Sequence, residues 1–237
     1  MRVGLVTICF NEQRLIKPFL SHIPDWVDET LVLVSKTPWK GEKEVQDATA
    51  QIARDMGASV IEDDWKNETD QRNAGQEYFS DFDWVIILDP DEFLDDEGWS
   101  DLQAIVKTAP PELQAGIVRH QRVFYKDKEV SPHTDYQQLI LAKPRVKFVD
   151  NRVVGSDYVL LPIDLYHFSW SRTDEEVWSK ITHYSHRDEF DFKKWYEEVW
   201  RTGRDHDLHP KDPEVLKGLI DAKLPSELEK LGLLDAK

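Results

Sequence analysis

The chain has 237 residues, of which 40% are hydrophobic, and a formal net charge of −16. That length and apolar content suit a globular domain with a sizeable core and exclude a disordered chain. The negative field excludes nucleic acid and anionic lipid as general partners, so a phosphate-bearing ligand needs a local cationic pocket or a bound metal.

The opening MRVGLVTICF runs into Asn11-Glu12 too soon to be a signal peptide. No apolar window approaches the ~18 residues of a membrane span. The expectation is a soluble, cytoplasmic protein without a transmembrane segment. The single Cys9 excludes an intramolecular disulfide and a cysteine zinc site.

In chain order, VGLVTICF (3–10) is β-rich and apolar on both faces, as a central parallel strand is. EQRLIKPFLSHI then reads as a helix, and ETLVLVS (29–35) as a second buried strand. EKEVQDATAQIARDMG (42–57) is an amphipathic helix stopped by Gly57. ASVIEDD (58–64) is a third strand. TDQRNAGQEYFSD (69–81) is a helix with Thr69 or Asp70 as its cap, and DWVIILD (83–89) a fourth strand. Strands alternating with helices mean βαβ crossovers and a mostly parallel sheet covered on both faces.

Past residue 100 the pattern changes. SDLQAIVKTAP (100–110) is a helix, while residues 116–125 and 138–142 alternate like antiparallel strands. RVKFV and YVLLPIDLYHFSW add further strands. DEEVWSKITHYSH (174–186) is a helix with a capping box between Thr173 and Glu176, and DFKKWYEEVWRTG (191–203) a helix ended by Gly203. After HPKDP come one or two short helices, with Leu216, Ile220, Leu224, Leu228 and Leu231 available to pack back. The stripe Trp195, Tyr196, Val199, Trp200 reads as packing or an acceptor lid, with a membrane-facing patch as the alternative.

The chemistry concentrates where VIIL (85–88) breaks into Asp89, Pro90, Asp91 and Glu92. In open α/β sheets the ligand site lies beyond the carboxyl ends of the strands. Asn11-Glu12 and Ser35-Lys36 leave the first two strands at that same edge. Pro90 keeps the chain extended, which aims Asp89 and Asp91 to one side. Two such carboxylates repel unless a cation sits between them, and a hard divalent ion fits so short an acidic step. The bland alternative is a solvated acidic turn.

VTICFNE followed by QRNAGQEYFSDFDWVIILDPDE resembles the nucleotide-sugar domain of family 2 glycosyltransferases, which have the GT-A fold. Arg72-Asn73 and Gly75 match one family element and Asp89-Pro90-Asp91-Glu92 another. LYHFSWSRTDEEVWSKITHYSH is similar to the branch that includes lipopolysaccharide-core β-glucosyltransferases. The resemblance covers residues 1–95 well and 135–190 more loosely.

It implies a GT-A domain over 1–190, with a nucleotide-sugar half (1–95) and an acceptor half (96–190). A helical extension over 191–237 packs on it. It further implies Mn²⁺ or Mg²⁺ as cofactor, a nucleotide diphosphate sugar as donor, and a glycan or lipid-linked saccharide as acceptor. Asp91 and Asp89 would serve the metal and donor ribose, and Glu92 the metal's waters or the sugar. His167 is a candidate third metal ligand, or else an ordinary strand histidine. Arg172, Lys180 and His186 would face the leaving diphosphate. Thr7, Asn11, Glu12, Ser35 and Arg72 complete the expected donor contacts.

Two features depart from the family pattern. The carboxylate that commonly follows the second strand to read the nucleobase is replaced by Ser35-Lys36-Thr37. The His-Glu pair that would supply a catalytic base is absent from DNRVVGSDY, which leaves Asp150 or Asp157 as candidates, with Glu129 and Asp135 behind them. The readings that remain are an inverting hexosyltransferase, a sugar-1-phosphate nucleotidyltransferase, and a non-catalytic nucleotide-sugar-binding module. The second is disfavoured because TICFNEQRLIKPFL carries no Gly-rich phosphate loop.

Overall fold

The frame of the molecule is a block of four parallel strands: β1 (Val3–Cys9), β2 (Glu29–Ser35), β3 (Ser59–Asp63) and β4 (Trp84–Ile87). They lie in the order β3-β2-β1-β4 in this computed structural model, which describes residues 1–131, 138–183, 185–203, 208 and 218–235. All three pairings are parallel. Helices α1 (Gln13–Ser21), α2 (Thr49–Asp55) and α3 (Glu68–Tyr78) make the crossovers. β1, β2 and β4 are largely apolar because both of their faces are covered, whereas the edge strand β3 is only partly buried. Leu5, Val32 and Ile86 enter one core cluster with Leu15 and Phe19 of α1. Val6, Leu31 and Val85 enter another with Phe79, at the end of α3.

Gly75 of the Arg-Asn-x-Gly element has a packing reason. A Cβ there would lie 2.6 Å from Val6 Cγ2, so only glycine lets α3 approach β1 this closely. Its neighbour Asn73 pairs with both backbone groups of Phe148, at 3.0 and 2.9 Å.

Beyond β4 the sheet is largely antiparallel. The chain passes through β5 (Glu92–Phe93), α4 (Asp96–Thr108), β6 (Ala115–Tyr125), β7 (Lys128–Ser131) and β8 (Leu139–Ala142). A small hairpin follows, β9 (Phe148–Asp150) with β10 (Val153–Val154). Then comes the long β11 (Tyr158–Trp170). β8 joins β4 to β6, while β11 runs parallel to β6. β11 also pairs antiparallel with β5, in the register Tyr166↔Phe93 and His167↔Glu92. This short pairing carries the acidic step of β4 against the second half of the chain.

α5 (Asp174–His183) begins with the expected capping box. Thr173 N donates to Glu176 Oε2 at 2.9 Å and Glu176 N to Thr173 Oγ1 at 3.2 Å. α6 (Phe192–Trp195) continues as a π turn to Trp200, and Gly203 ends it at φ +68°. Trp195, Tyr196, Val199 and Trp200 are buried with Trp170, Val177 and Ile181, so the aromatic stripe is packing and not an exposed patch.

Four features differ from the sequence expectations, the first at the acidic step, where Pro90 and Asp91 form a turn closed by Glu92 N donating to Asp89 O at 2.9 Å in place of an extended run. α2 starts at Thr49 rather than residue 42, because the preceding segment serves the β1–α1 loop. Asn11 Nδ2 donates to Val45 O, Gln13 N to Asp47 Oδ2, and Glu12 N to Thr49 Oγ1. The N-terminus of α1 has no cap of its own and takes these as substitutes. α3 is capped by Asn67, which accepts from Asp70 N at 2.8 Å, rather than by Thr69 or Asp70. In the tail, α7 (Ser226–Glu229) is helical, but β12 (Gly218–Asp221) adds a strand to the edge offered by β7. Leu224, Leu228 and Leu231 do pack back on the core, and Leu216 lies outside the described residues.

Candidate active site

A cavity of about 770 Å³ opens at the carboxyl ends of β1, β2 and β4, walled on its far side by β11 and α5. Its lining draws on residues from Ile8 to His186, so no single motif builds it.

Its centre is a buried ionic network in two halves. In the first, Arg72 makes two parallel bonds to Asp89, Nη1 to Oδ1 at 3.0 Å and Nη2 to Oδ2 at 2.8 Å. Arg72 Nε also donates to Glu68 at 2.9 Å. Arg152, from the β9–β10 turn, donates to both oxygens of Glu92 at 2.6 and 2.7 Å and to the carbonyl of Ile87. In the second half, Arg172 pairs with Glu12 at 2.9 and 3.0 Å and with Asp91 Oδ2 at 2.8 Å. Lys180 Nζ lies 2.9 Å from the same Oδ2 and 2.9 Å from Ser169 Oγ. The other oxygen, Asp91 Oδ1, is 3.5 Å from His167 Nε2, and His167 Nδ1 meets Gln121 Nε2 at 2.6 Å.

The electrostatics follow from this pairing. Burial by itself would raise the Asp91 carboxyl, but Lys180, His167 and Arg172 outweigh it and hold Asp91 well below the usual carboxylate range. Asp89 is likewise lowered, by Arg72 and Arg152 against its burial. Glu12 goes the other way, since burial raises it more than Arg172 lowers it. The cations that offset repulsion between the acidic-step carboxylates are therefore side chains of this chain, Arg72 from the preceding helix and Arg152, Arg172 and Lys180 from distant elements.

The expected site residues distribute as follows. Asn11, Glu12, Ser35, Arg72, Asp89, Asp91, Glu92, His167, Arg172, Lys180 and His186 all line the cavity. Asn11 does so from a left-handed backbone, φ 54°, which asparagine adopts more readily than most residues. His186 sits near the rim against Glu189 at 2.7 Å. Thr7 is fully buried inside β1 and lies off the lining. Asp150 lines the cavity, whereas Asp157 is exposed ahead of β11 and does not. Glu129 is buried in a pair with Arg122, and Asp135 lies outside the described residues.

Sequence reasoning missed Arg152, Glu68, Ser169 and Gln121. Ser169 and Arg152 lie within stretches already singled out and Glu68 just ahead of one, but nothing local marks the first two as partners, and Arg152 is 60 positions from the carboxylate it holds. Only the Glu68–Arg72 pair follows a local rule, the i,i+4 spacing of a helix; no spacing rule links the others to their partners.

For metal binding, the donors left facing each other are Asp91 Oδ1 and His167 Nε2. At 3.5 Å apart they can reach one ion at bond lengths of about 2.1 Å. Asp89 is engaged by Arg72 on both oxygens. Among the described residues no group of three or more His, Cys, Asp or Glu side chains is arranged to hold a metal ion. The pair thus fits a hard ion that takes its remaining ligands from water and phosphate oxygens. No described helix is long and apolar enough to cross a membrane.

Fold and site together define a mixed α/β protein with a charged cavity at the carboxyl edge of a parallel sheet. A scan against protein-family models finds no match. A TPR repeat-containing protein of Synechococcus elongatus is 28% identical over 150 residues, 59% of this chain and 35% of that protein. The chain thus spans about a third of the length of that relative. Among solved structures, it is similar to glucosyl-3-phosphoglycerate synthase from Mycobacterium tuberculosis in complex with Mn²⁺, uridine diphosphate and glucosyl-3-phosphoglycerate. That match has 20% identity and a TM-score of 0.39, covering 52% of this chain and 44% of that one. A mycobacterial protein matches at 17% identity and a TM-score of 0.40, covering 52% of this chain and 41% of that one.

Proposed function

We propose that this chain is the catalytic domain of a glycosyltransferase that moves a hexose from a nucleotide diphosphate sugar to an acceptor hydroxyl, with Mn²⁺ or Mg²⁺. The observation that carries the reading is the position of Asp91. Its carboxylate leaves β4 at the sheet edge and meets His167 on one oxygen and Lys180 and Arg172 on the other. An anionic ligand, one hard cation and two fixed positive charges can converge at that point. The resemblance of residues 1–95 to family 2 enzymes supports the same assignment.

Asp91 and His167 would hold the metal, which when bound neutralises charge on the diphosphate. Lys180, anchored on Ser169, places its ammonium beside Asp91 and is positioned to stabilise charge as the sugar–phosphate bond breaks. Arg72 keeps Asp89 ionised and oriented, and Arg152 holds the carboxylate of Glu92 in place through both oxygens. In an inverting transfer the acceptor oxygen attacks C1 of the hexose, the C1–O bond to the diphosphate breaks, and the hydroxyl proton passes to a carboxylate. Asp150 is the candidate base on the cavity wall.

The test is incubation with a panel of nucleotide sugars and Mn²⁺ or Mg²⁺, following thermal stability and release of nucleoside diphosphate. A ligand that binds only the folded protein raises its apparent stability. Metal-dependent stabilisation with slow diphosphate release is expected. If no nucleotide sugar does either, the reading fails. Stabilisation without any release would instead leave a binding module.

A further inference from the structure

Ser35, at the end of β2, and Trp39, just beyond it, are tied together through one buried amide. Gln71 Oε1 accepts from Ser35 Oγ at 3.0 Å and from Trp39 Nε1 at 3.1 Å, while Gln71 Nε2 donates to Leu33 O at 2.8 Å. The backbone carbonyl of Ser35 accepts from Gln46 Nε2 at 2.7 Å. Gln71 itself is fully buried on α3. The polar edge of the indole is therefore pinned inward. The half-buried Trp39 lines the cavity, as do Pro38 and Phe10.

This strand end also lacks a carboxylate, having Ser35-Lys36-Thr37. Reading the edge of a base needs free donors and acceptors held in place, since discrimination comes from buried polar groups left unpaired by the wrong partner. Here Ser35, Trp39 and Gln71 direct hydrogen bonds at one another. The Trp39 indole lines the cavity beside these engaged groups, and every nucleobase has a π-face that stacks on an aromatic ring.

We propose that Trp39 is the stacking surface for the nucleobase of the donor, and that this site holds the base by its face rather than by reading its edge. The assignment rests on the glycosyltransferase reading above and extends it to the nucleotide specificity of the donor. Trp39 is thereby a binding residue for the nucleoside, and Gln71 a positioning residue that sets the plane of its ring. The diphosphate end of the ligand is served separately, by Asp91, Lys180 and their neighbours.

The experiment is calorimetric binding of UDP, GDP and inorganic pyrophosphate, all with Mn²⁺, to the wild type and to Trp39→Leu and Trp39→Phe. Leu keeps apolar volume against the neighbouring core but removes the flat ring, and Phe restores a ring. Wild-type affinities for UDP and GDP are expected within about tenfold of each other. Trp39→Leu should weaken both nucleotides on the order of 10- to 100-fold, the range that one base–aromatic stack supplies. It should leave pyrophosphate unchanged, and Trp39→Phe should recover most of the loss. Unaltered pyrophosphate binding also shows that the variant is folded. Nucleotide binding untouched by Trp39→Leu overturns the stacking assignment, and a wild-type preference beyond tenfold for one base overturns the face reading. A wild type that binds pyrophosphate but neither nucleotide overturns this inference alone. A wild type that binds none of the three removes the glycosyltransferase reading along with it.

Discussion

Arg172 and Asp91, 81 positions apart in the chain, meet at 2.8 Å in the wall of the cavity, with Arg172 also holding Glu12. Arg172 is 4% exposed and Asp91 5%. Removing the guanidinium leaves the buried Asp91 and the partly buried Glu12 short of a partner, and breaking a buried pair costs about 3–5 kcal/mol. Arg172→Ala is therefore expected to lower the melting temperature sharply. Lys180 is more exposed, at 20%, and Asp91 keeps Arg172 when Lys180 is lost. Lys180→Ala should stay folded and lose turnover. Equal melting temperatures for the two variants would show that the network does not divide this way.

Asp91→Asn removes the charge from one of the two donors that face each other across the proposed metal position. Metal-dependent nucleotide binding should fall at least tenfold while Arg172 retains Glu12 and the fold persists. Titration calorimetry with and without Mn²⁺ reads this directly. A folded variant with unchanged metal dependence would remove Asp91 from the metal site.

Acid should act on this network in a defined window. A carboxyl lowered by folding stabilises the protein above its unfolded pKa, and that contribution is lost as pH falls through the folded one. Asp89 and Asp91 are both lowered from 3.8, so their contribution persists through mild acid and is lost only below that value. Glu12, raised from 4.5 by burial, has the opposite sign: it takes up its proton earlier, and that uptake favours the folded state. Between about pH 4 and about pH 2, Asp91→Asn is expected to lose less stability than the wild type. Urea unfolding in chelator-containing buffer makes the comparison, and parallel acid limbs would contradict it.

The two candidate bases separate by position. Asp150 lines the cavity and Asp157 does not. Proton removal matters only once the acceptor hydroxyl attacks, so donor affinity should not register it. Asp150→Asn is expected to cut transfer by roughly 10²-fold or more with nucleotide-sugar affinity unchanged, and Asp157→Asn to do neither. Wild-type transfer by both variants would place the base elsewhere.

Gly75→Ala tests packing apart from chemistry. Its Cβ would fall 2.6 Å from a Val6 methyl inside the core, a branched side chain with little freedom to move. Overpacking of this kind costs about 1–3 kcal/mol, so the melting temperature should drop. An unchanged value would mean that α3 can slide on β1 without cost.

By itself the sequence determined the parallel half of the fold and the edge on which the site lies. Buried strands announce themselves as short apolar runs, and the polar residues that end them in Asn11-Glu12, Ser35 and Asp89-Asp91 mark one edge because parallel strands share a direction. The capping box at Thr173 and Glu176 was equally legible, since its partners are three residues apart. Only the tertiary structure decided what each carboxylate touches. Arg152 reaches Glu92 from the β9–β10 turn, His167 arrives through the two-residue pairing of β5 with β11, and residues 42–48 forgo a helix to satisfy the amides of the β1–α1 loop. Those contacts span tens of residues and follow from strand register and desolvation. A local pattern carries a record of periodicity but none of which distant charge will be close enough to stabilise a buried one.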